Sequence, residues 1–208
     1  MNKQTGFTLI ELAIVLVIIG LLLGGVLRGQ ELINSAKVKN MAADFRSIPV
    51  YIYGYQDKFK SLPGDDAAAV GHVVATTAGD GSGAIDGNWN STTPANESVL
   101  FWQHVRLAGL ATGSTTIPPA GPSPFYPTNS DGGRIGVSSV NPITDLPGAY
   151  FMCSGGILGK FAKQLDTTID DGTPDGGSFR ASTTALGTAN EAANAYVDNT
   201  AYTVCTGF

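Results

Sequence analysis

The sequence predicts an α+β protein, in which a long N-terminal α-helix, half of it transmembrane, packs on a loop-rich C-terminal head with a small antiparallel sheet. The first observation is an apolar run from Phe7 to Leu27 whose only charged residue is Glu11. The second is a stripe of apolar residues, at three- and four-residue spacing, that continues to position 62. The third is the abundance of Gly, Ser, Thr, Asn and Pro after that point, which is typical of turns and loops.

The apolar run has the length of a membrane span. As an α-helix, Phe7–Leu27 would extend about 31 Å, which matches the hydrocarbon core of a bilayer. Lys3 favours a cytoplasmic position for the preceding end, although Arg28 weakens the charge asymmetry. No small-residue cleavage site of the secretory kind follows Leu27. We therefore expect this helix to be retained in the protein.

Glu11 is the most informative residue of the apolar run. A charged side chain at membrane depth costs several kcal/mol unless another group pairs with it. The spacing around this acid is also specific, because the motif Gly6-Phe-Thr-Leu-Ile-Glu11 directly precedes the unbroken apolar stretch. This pattern predicts that Glu11 has a functional counter-charge.

The motif from Gly6 to Glu11, followed by Leu-Ala-Ile-Val, resembles the class III signal of type IV pilins and type II secretion pseudopilins. The resemblance implies that a prepilin peptidase cuts between Gly6 and Phe7, removes residues 1–6 as a leader and methylates the new amine of Phe7. It also implies a pilin-like fold, a homopolymeric or mixed pilin filament, and an inner-membrane assembly platform as a partner. The protein would reside in the inner membrane, in contact with lipid, before it enters a periplasmic or extracellular filament.

Elementary chemistry explains these residue types. Gly6 presents an unobstructed backbone at the scissile bond. The cut creates an ammonium group on Phe7, four positions before Glu11. In a staggered stack of helices, the amine of a neighbouring subunit can reach the same carboxylate. Such a buried ion pair would set the axial register of assembly.

The helical pattern continues beyond the membrane segment, and we predict one helix over residues 7–61 that precedes a head over residues 62–208. The apolar stripe consists of Phe45, Ile48, Ile52, Tyr55, Phe59 and Leu62. Pro49 removes one backbone hydrogen bond and is expected to kink the helix. Gly24-Gly25 is the candidate weak point at which the helix would melt in a filament.

In the head, the predicted strands are Ile135–Val140, Ala149–Met152, Ser178–Ala181 and Tyr202–Cys205. Helices are predicted at Asn96–Leu110 and Leu158–Leu165, whereas residues 112–128, with five prolines, are predicted to form a loop. Cys153 and Cys205 are predicted to form a disulfide, because an even pair of cysteines in a membrane-targeted chain indicates an oxidising compartment.

A calcium site is a further hypothesis for the head. Asp80, Ser82 and Asp86 place oxygen ligands around a Gly turn, as in a calcium loop, and some pseudopilins bind Ca²⁺ in their heads. The closing bidentate acid is missing, although Glu97 could substitute from a distance, and a plain Gly-Asp hairpin turn explains the same residues. A second acidic turn comprises Asp170, Asp171 and Asp175. No cofactor other than this cation is indicated.

Composition disfavours catalysis and nucleic-acid binding. The only histidines, His72 and His104, have no metal-ligand spacing, and no serine lies in a nucleophile elbow. The net charge of −5 and the absence of a basic cluster after residue 60 argue against phosphate contacts. Together with the resemblance to pilins, which implies the role, this leads us to expect a non-enzymatic structural subunit of a type IV pilus-like filament. The alternatives are a type II secretion pseudopilin and a minor tip pilin whose head is an adhesive or ligand-binding module.

Overall fold

The computed structural model describes residues 8–184 and 191–208. Within them lie four helices and four strands, which confirms the predicted α+β class. In chain order they are α1 (Leu9–Phe59), α2 (Ala69–His72), α3 (Glu97–Leu107), β1 (Ile135–Ser138), β2 (Phe151–Leu158), α4 (Gly159–Ile169), β3 (Phe179–Ser182) and β4 (Ala201–Gly207).

The chain divides into two compact units, Met1–Lys37 and Val38–Phe208, and the division falls within α1. In its described part the first unit is a single helix whose apolar side chains are exposed, such as Leu16 at 70% and Leu21 at 73%. By length and composition, α1 qualifies as a helix that can cross a membrane. The boundaries predicted for the leader and the membrane span stay predictions.

In the second unit, α1 buries one face. Its buried residues recur at three- and four-residue spacing and include Phe45, Ile48, Ile52 and Tyr55 of the predicted stripe. The ring of Phe45 packs edge-on against Phe179 of β3, with 5.2 Å between ring centroids. Burial of each such side chain contributes about 1.5–3 kcal/mol, so this face attaches the helix to the sheet. Helical structure continues through Pro49.

Helix α1 ends two residues before the predicted boundary. Lys60 follows Phe59 in the left-handed region, at φ 56°, and donates its backbone N–H to the carbonyl of Gln56. Pro63 comes three residues later and cannot continue a helix. The chain then turns back at Gly64, whose φ of 95° favours glycine.

The sheet is antiparallel throughout, with strand order β1-β2-β4-β3. All four predicted strands are present, but the prediction that the second strand ends at Met152 is wrong, because β2 continues to Leu158. The reason is an irregularity between Ser154 and Ile157, where Gly156 adopts a φ of 70°. This bulge lets a Ser-Gly-Gly sequence that resembles a turn remain within a strand.

The predicted disulfide is present between Cys153 of β2 and Cys205 of β4. The two residues are directly opposite in the register, with Cα atoms 4.1 Å apart, and neither is accessible to solvent. They lie in a small apolar cluster with Trp89, Ile143, Leu146 and Phe151. The bond therefore attaches the C-terminal strand to the centre of the sheet.

The two predicted helices of the head are confirmed as α3 and α4. Helix α3 is buried on almost all sides, including its polar residues Glu97, Ser98, Gln103, His104 and Arg106. Buried polar groups require hydrogen-bond partners, and the loops around α3 supply them to Glu97, Gln103, His104 and Arg106 but not to the Ser98 hydroxyl. The proline-rich residues 112–128 contain neither helix nor strand, as predicted.

Replacement of both cysteines by alanine should lower the free energy of unfolding of the head by about 4 kcal/mol, because the bridge closes a loop of 52 residues in sequence separation. Denaturant titration of the two forms, followed by near-UV circular dichroism, measures the difference. An unchanged midpoint would contradict a stabilising role for the bridge.

Candidate functional site

The first candidate site is the beginning of α1. Gly6 and Phe7, the predicted cleavage and methylation residues, lie outside the described residues. Thr8 immediately precedes the helix, and Glu11 is in its first turn. The described part of this site therefore consists of Thr8, Glu11 and the hydrogen bonds between them.

Thr8 and Glu11 form a reciprocal cap on the helix. The backbone N–H and the hydroxyl of Thr8 each donate to Oε2 of Glu11 at 2.8 Å, and the backbone N–H of Glu11 points to Oγ1 of Thr8 at 3.3 Å. This arrangement is a capping box, in which two backbone N–H groups at the helix start gain side-chain acceptors. The carboxylate also lies at the positive end of the helix dipole. Glu11 thus has hydrogen-bond partners within its own chain.

Sequence reasoning missed this cap although its signature was present. Thr8-Leu-Ile-Glu11 matches the Ser/Thr-x-x-Glu/Gln pattern that precedes an apolar helix. The prediction treated Glu11 only as an acid that needs a partner from another chain. The cap adds a second reason for an acid at this position, and the predicted role of Glu11 in assembly stays a prediction.

The second candidate site is an acidic cluster in the head. One carboxylate oxygen each from Asp65, Asp80 and Glu97 lie within 4.8 Å of one another. Asp65 follows the end of α1, Asp80 lies in the loop after α2, and Glu97 begins α3. Asp65 and Glu97 are buried, at 4% and 6% exposure, whereas Asp80 is exposed.

Backbone N–H groups hold the two buried acids in place. Ser82 and Gly83 donate to Oδ1 and Oδ2 of Asp65 at 2.8 and 2.9 Å. The N–H groups of Asp80 and Asp86 donate to Oε1 and Oε2 of Glu97, both at 2.9 Å. Residues 80–86 are therefore wrapped around two carboxylates that belong to distant parts of the chain.

A glycine makes the close approach of these segments possible. A Cβ atom at Gly79 would overlap the backbone of Asp65, so no other residue fits there without displacement of the loop. Gly79 also donates its N–H to the carbonyl of Asp66 at 3.0 Å.

The electrostatics of the cluster follow from burial and from crowding of like charges. Burial raises the pKa of Asp65 and of Glu97, whose backbone N–H donors oppose the shift without cancelling it. Hydrogen bonds from Ser82 lower the pKa of Asp80. Three carboxylates this close favour either a bound proton or a bound cation, and oxygen ligands of this type suit Ca²⁺.

The predicted calcium residues are distributed around this cluster. Asp80 belongs to it, and Asp86 lines the same depression of about 260 Å³ together with Asp80 and Glu97. The backbone N–H of Ser82 is a donor to Asp65 and Asp80, and its hydroxyl is 3.4 Å from Asp65 Oδ1. Asp65 was not among the predicted ligands, because it is fifteen residues before Asp80 in a different turn.

The second acidic turn includes a carboxylate, that of Asp166, which was not among its predicted members. Asp166 of α4 joins Asp170 and Asp171, whereas the predicted third member, Asp175, is not among the grouped carboxylates of the described residues. Asp166 is inaccessible to solvent, and its carboxylate accepts bonds from the Tyr196 hydroxyl at 2.6 Å and the Gly172 N–H at 3.0 Å. The turn is thus held together by its own donors.

The two histidines serve the architecture of the head. His104 is fully buried, and its Nδ1 accepts the N–H of Gly64 at 3.0 Å, which leaves Nε2 to donate to the Thr77 carbonyl at 3.1 Å. His72 is exposed, and its Nδ1 lies 2.7 Å from Asp66 Oδ2. Neither imidazole has a serine or cysteine side chain among its hydrogen-bond partners in the described residues.

Comparison with known proteins bears on the N-terminal site alone. Residues 1–27 match the family model described as the prokaryotic N-terminal methylation motif, which is the prepilin-type signal of type IV pilins and pseudopilins. No curated protein and no solved structure matches the chain. The match includes Gly6, Phe7, Thr8 and Glu11, and it does not extend into the head.

Millimolar Ca²⁺ is expected to raise the melting temperature of the head at pH 7. Because burial raises the pKa of Asp65 and Glu97, their deprotonation favours the unfolded chain, and stability from this cluster falls as pH rises through the raised pKa values. A cation that replaces the proton reverses that loss, so its effect should shrink toward pH 5.

Differential scanning fluorimetry with and without Ca²⁺ measures this effect. Asp80→Asn should abolish the calcium-dependent shift, whereas Asp198→Asn, a change at an exposed acid outside the cluster, should retain it. Equal shifts in the two variants, or none in the wild type, would rule out calcium at this position.

Proposed function

We propose that this protein is a structural subunit of a type IV pilus-like filament, processed between Gly6 and Phe7 and assembled through α1. The observation that carries the proposal is the methylation motif at residues 1–27, placed at the start of a helix with exposed apolar side chains. The chain is then a substrate of prepilin peptidase and of an inner-membrane assembly platform, and it has no catalytic role itself.

The exposed apolar surface of α1 supports assembly through this helix. Every apolar residue from Leu9 to Leu27 is exposed in the described chain. A continuous apolar surface of this kind requires lipid or protein to cover it. Lipid covers it in the membrane, and copies of the same helix replace the lipid in a filament core.

Glu11 supports the same proposal because its cap leaves room for a second partner. An ionised carboxylate offers roughly four acceptor positions, and the two donors of Thr8 converge on Oε2 alone. The methylated amine of Phe7 in an adjacent subunit is the cation that cleavage would create. A charge-assisted bond to it, in an apolar filament core, is stronger than a neutral hydrogen bond.

The capping box would also stabilise Glu11 in the membrane-bound subunit before assembly. With Thr8 as its donor, Glu11 is partly satisfied while the subunit waits in the membrane, which lowers the cost of a charge near the bilayer. The amine of a neighbour then adds to this arrangement. The same residues therefore stabilise the stored subunit and define the contact that the filament uses.

Mass spectrometry of the mature protein, together with electron microscopy of sheared surface material, tests the proposal. We expect an N-terminus at Phe7 carrying one added methyl group, and filaments in which this chain is abundant. A chain that is scarce in otherwise intact filaments would indicate a minor tip subunit. An unprocessed chain without filaments would refute the proposal.

Glu11→Gln should abolish filaments while it leaves cleavage at Gly6 intact, because removal of one partner of a buried ion pair costs about 3–5 kcal/mol. Glu31→Gln provides the matched control, because Glu31 is an exposed acid on the same helix. The protein with this substitution should form filaments in normal yield. Filament yield after shearing is the measurement, and normal yield from Glu11→Gln would exclude the proposed ion pair.

A further inference from the structure

A small cavity in the head is lined by two oppositely charged side chains that do not touch. It has a volume of about 180 Å³ and lies among α1, α3 and the loops that follow α3. Asp44 and Tyr51 of α1 line it, as do Trp102 and Arg106 of α3. All of these residues belong to the second compact unit.

Asp44 supplies a negative charge without a counter-ion. Its side chain is partly buried, and desolvation raises its pKa to about 6. Its backbone carbonyl accepts a bond from the Ser47 hydroxyl at 2.8 Å, but its carboxylate has no hydrogen bond and no ion pair within the described residues. A carboxylate in this position loses hydration and gains nothing in return.

Arg106 supplies the positive charge, and it too lacks a counter-ion. Its side chain is 9% exposed, and its guanidinium donates from Nε and Nη1 to the carbonyls of Thr112 and Ser114 at 3.1 and 2.9 Å. No carboxylate lies within 4.0 Å of it in the part of the chain that the structure describes. The guanidinium has five N–H groups, so the two carbonyls do not satisfy it.

The position of the guanidinium is fixed by the backbone around it. The guanidinium lies over the ring of Phe125, 4.7 Å from the centroid. Gly113, at φ 128°, passes so close that a Cβ atom there would be 2.7 Å from Nε of Arg106. Arg106 is thus held by the loop after α3, while Asp44 is held by α1, and the cavity separates them.

We propose that this cavity binds a small zwitterion, whose ammonium group pairs with Asp44 and whose carboxylate pairs with Arg106. Each unpaired charge of the protein then gains a charge-assisted hydrogen bond. A simple cation would meet Arg106, and a simple anion would meet Asp44, so the pair of charges selects against both. The aromatic rings of Tyr51 and Trp102 form part of the wall.

The volume limits the ligand to a small amino acid or a molecule of similar size. A cavity of 180 Å³ corresponds to about six water molecules at roughly 30 Å³ each. Glycine and β-alanine fit this volume and carry both charges, whereas a nucleotide is too large and a neutral sugar ring carries neither charge. The proposal concerns the head alone and is independent of whether the chain forms filaments.

Isothermal titration of the full-length protein in detergent micelles tests the proposal, with glycine and β-alanine as probes. Methylammonium and acetate serve as single-charge probes. We expect saturable binding of at least one zwitterion and at least tenfold weaker binding of both single-charge probes. Asp44→Asn and Arg106→Gln should each weaken zwitterion binding at least tenfold.

Asp57→Asn is the matched control, because Asp57 is an exposed acid on the same helix, next to Lys60 and outside the cavity, and its zwitterion affinity should equal that of the wild type. Asp44→Asn should remain folded and be more stable than the wild type at pH 7 without ligand, because it removes a desolvated charge. If Arg106→Gln does not fold, the zwitterion affinity of Asp44→Asn alone tests the proposal. Absence of saturable binding, unchanged affinity in Asp44→Asn, or equal binding of methylammonium would overturn the proposal.

Discussion

One helix in this protein must satisfy two different environments, and most of the architecture follows from that constraint. The residues of α1 that lie in the first unit expose apolar side chains all around, and only lipid or other helices can cover such a surface. From Val38 onward the same helix buries a single apolar stripe, and its exposed side carries charged residues such as Lys39, Arg46 and Lys58. The contact of Phe45 with Phe179 is one of those that attach this stripe to the sheet.

The head combines long loops with a sheet that has four strands within the described residues, so its loops need other contacts to order them. Between α1 and β1 the structure relies on side-chain acceptors for backbone N–H groups. Asp65 and Glu97 together accept four such bonds, and His104 accepts a fifth from Gly64. This use of carboxylates crowds negative charge into a small space, and the same crowding makes the cluster suitable for a cation.

The charge at the start of α1 illustrates how one residue can serve two states. In the single chain, the carboxylate of Glu11 accepts bonds from Thr8 and caps the helix. In the proposed filament it would also meet the amine of a neighbour. The two uses are compatible because the cap engages one oxygen and leaves further acceptor positions. The cavity between Asp44 and Arg106 differs, since neither of its charges has an ionic partner in the described chain.

The sequence by itself determined the features that depend on local pattern. The long helix, the class of fold, the approximate positions of all four strands and the Cys153–Cys205 pair followed from periodicity, turn residues and cysteine count. The capping box of Thr8 and Glu11 was also legible, since its two residues are three positions apart. The motif at residues 1–27 is local in the same sense.

Only the tertiary structure decided which distant residues meet. Asp65 joins Asp80 and Glu97 because the chain turns back after α1 and passes close to Gly79, and no sequence spacing encodes that approach. Likewise β2 continues past Met152 because pairing with β4 carries it through a glycine bulge. Asp44 and Arg106 share a cavity because α1 packs beside α3. Long-range contacts depend on how whole elements pack, and a local window of sequence does not contain that information.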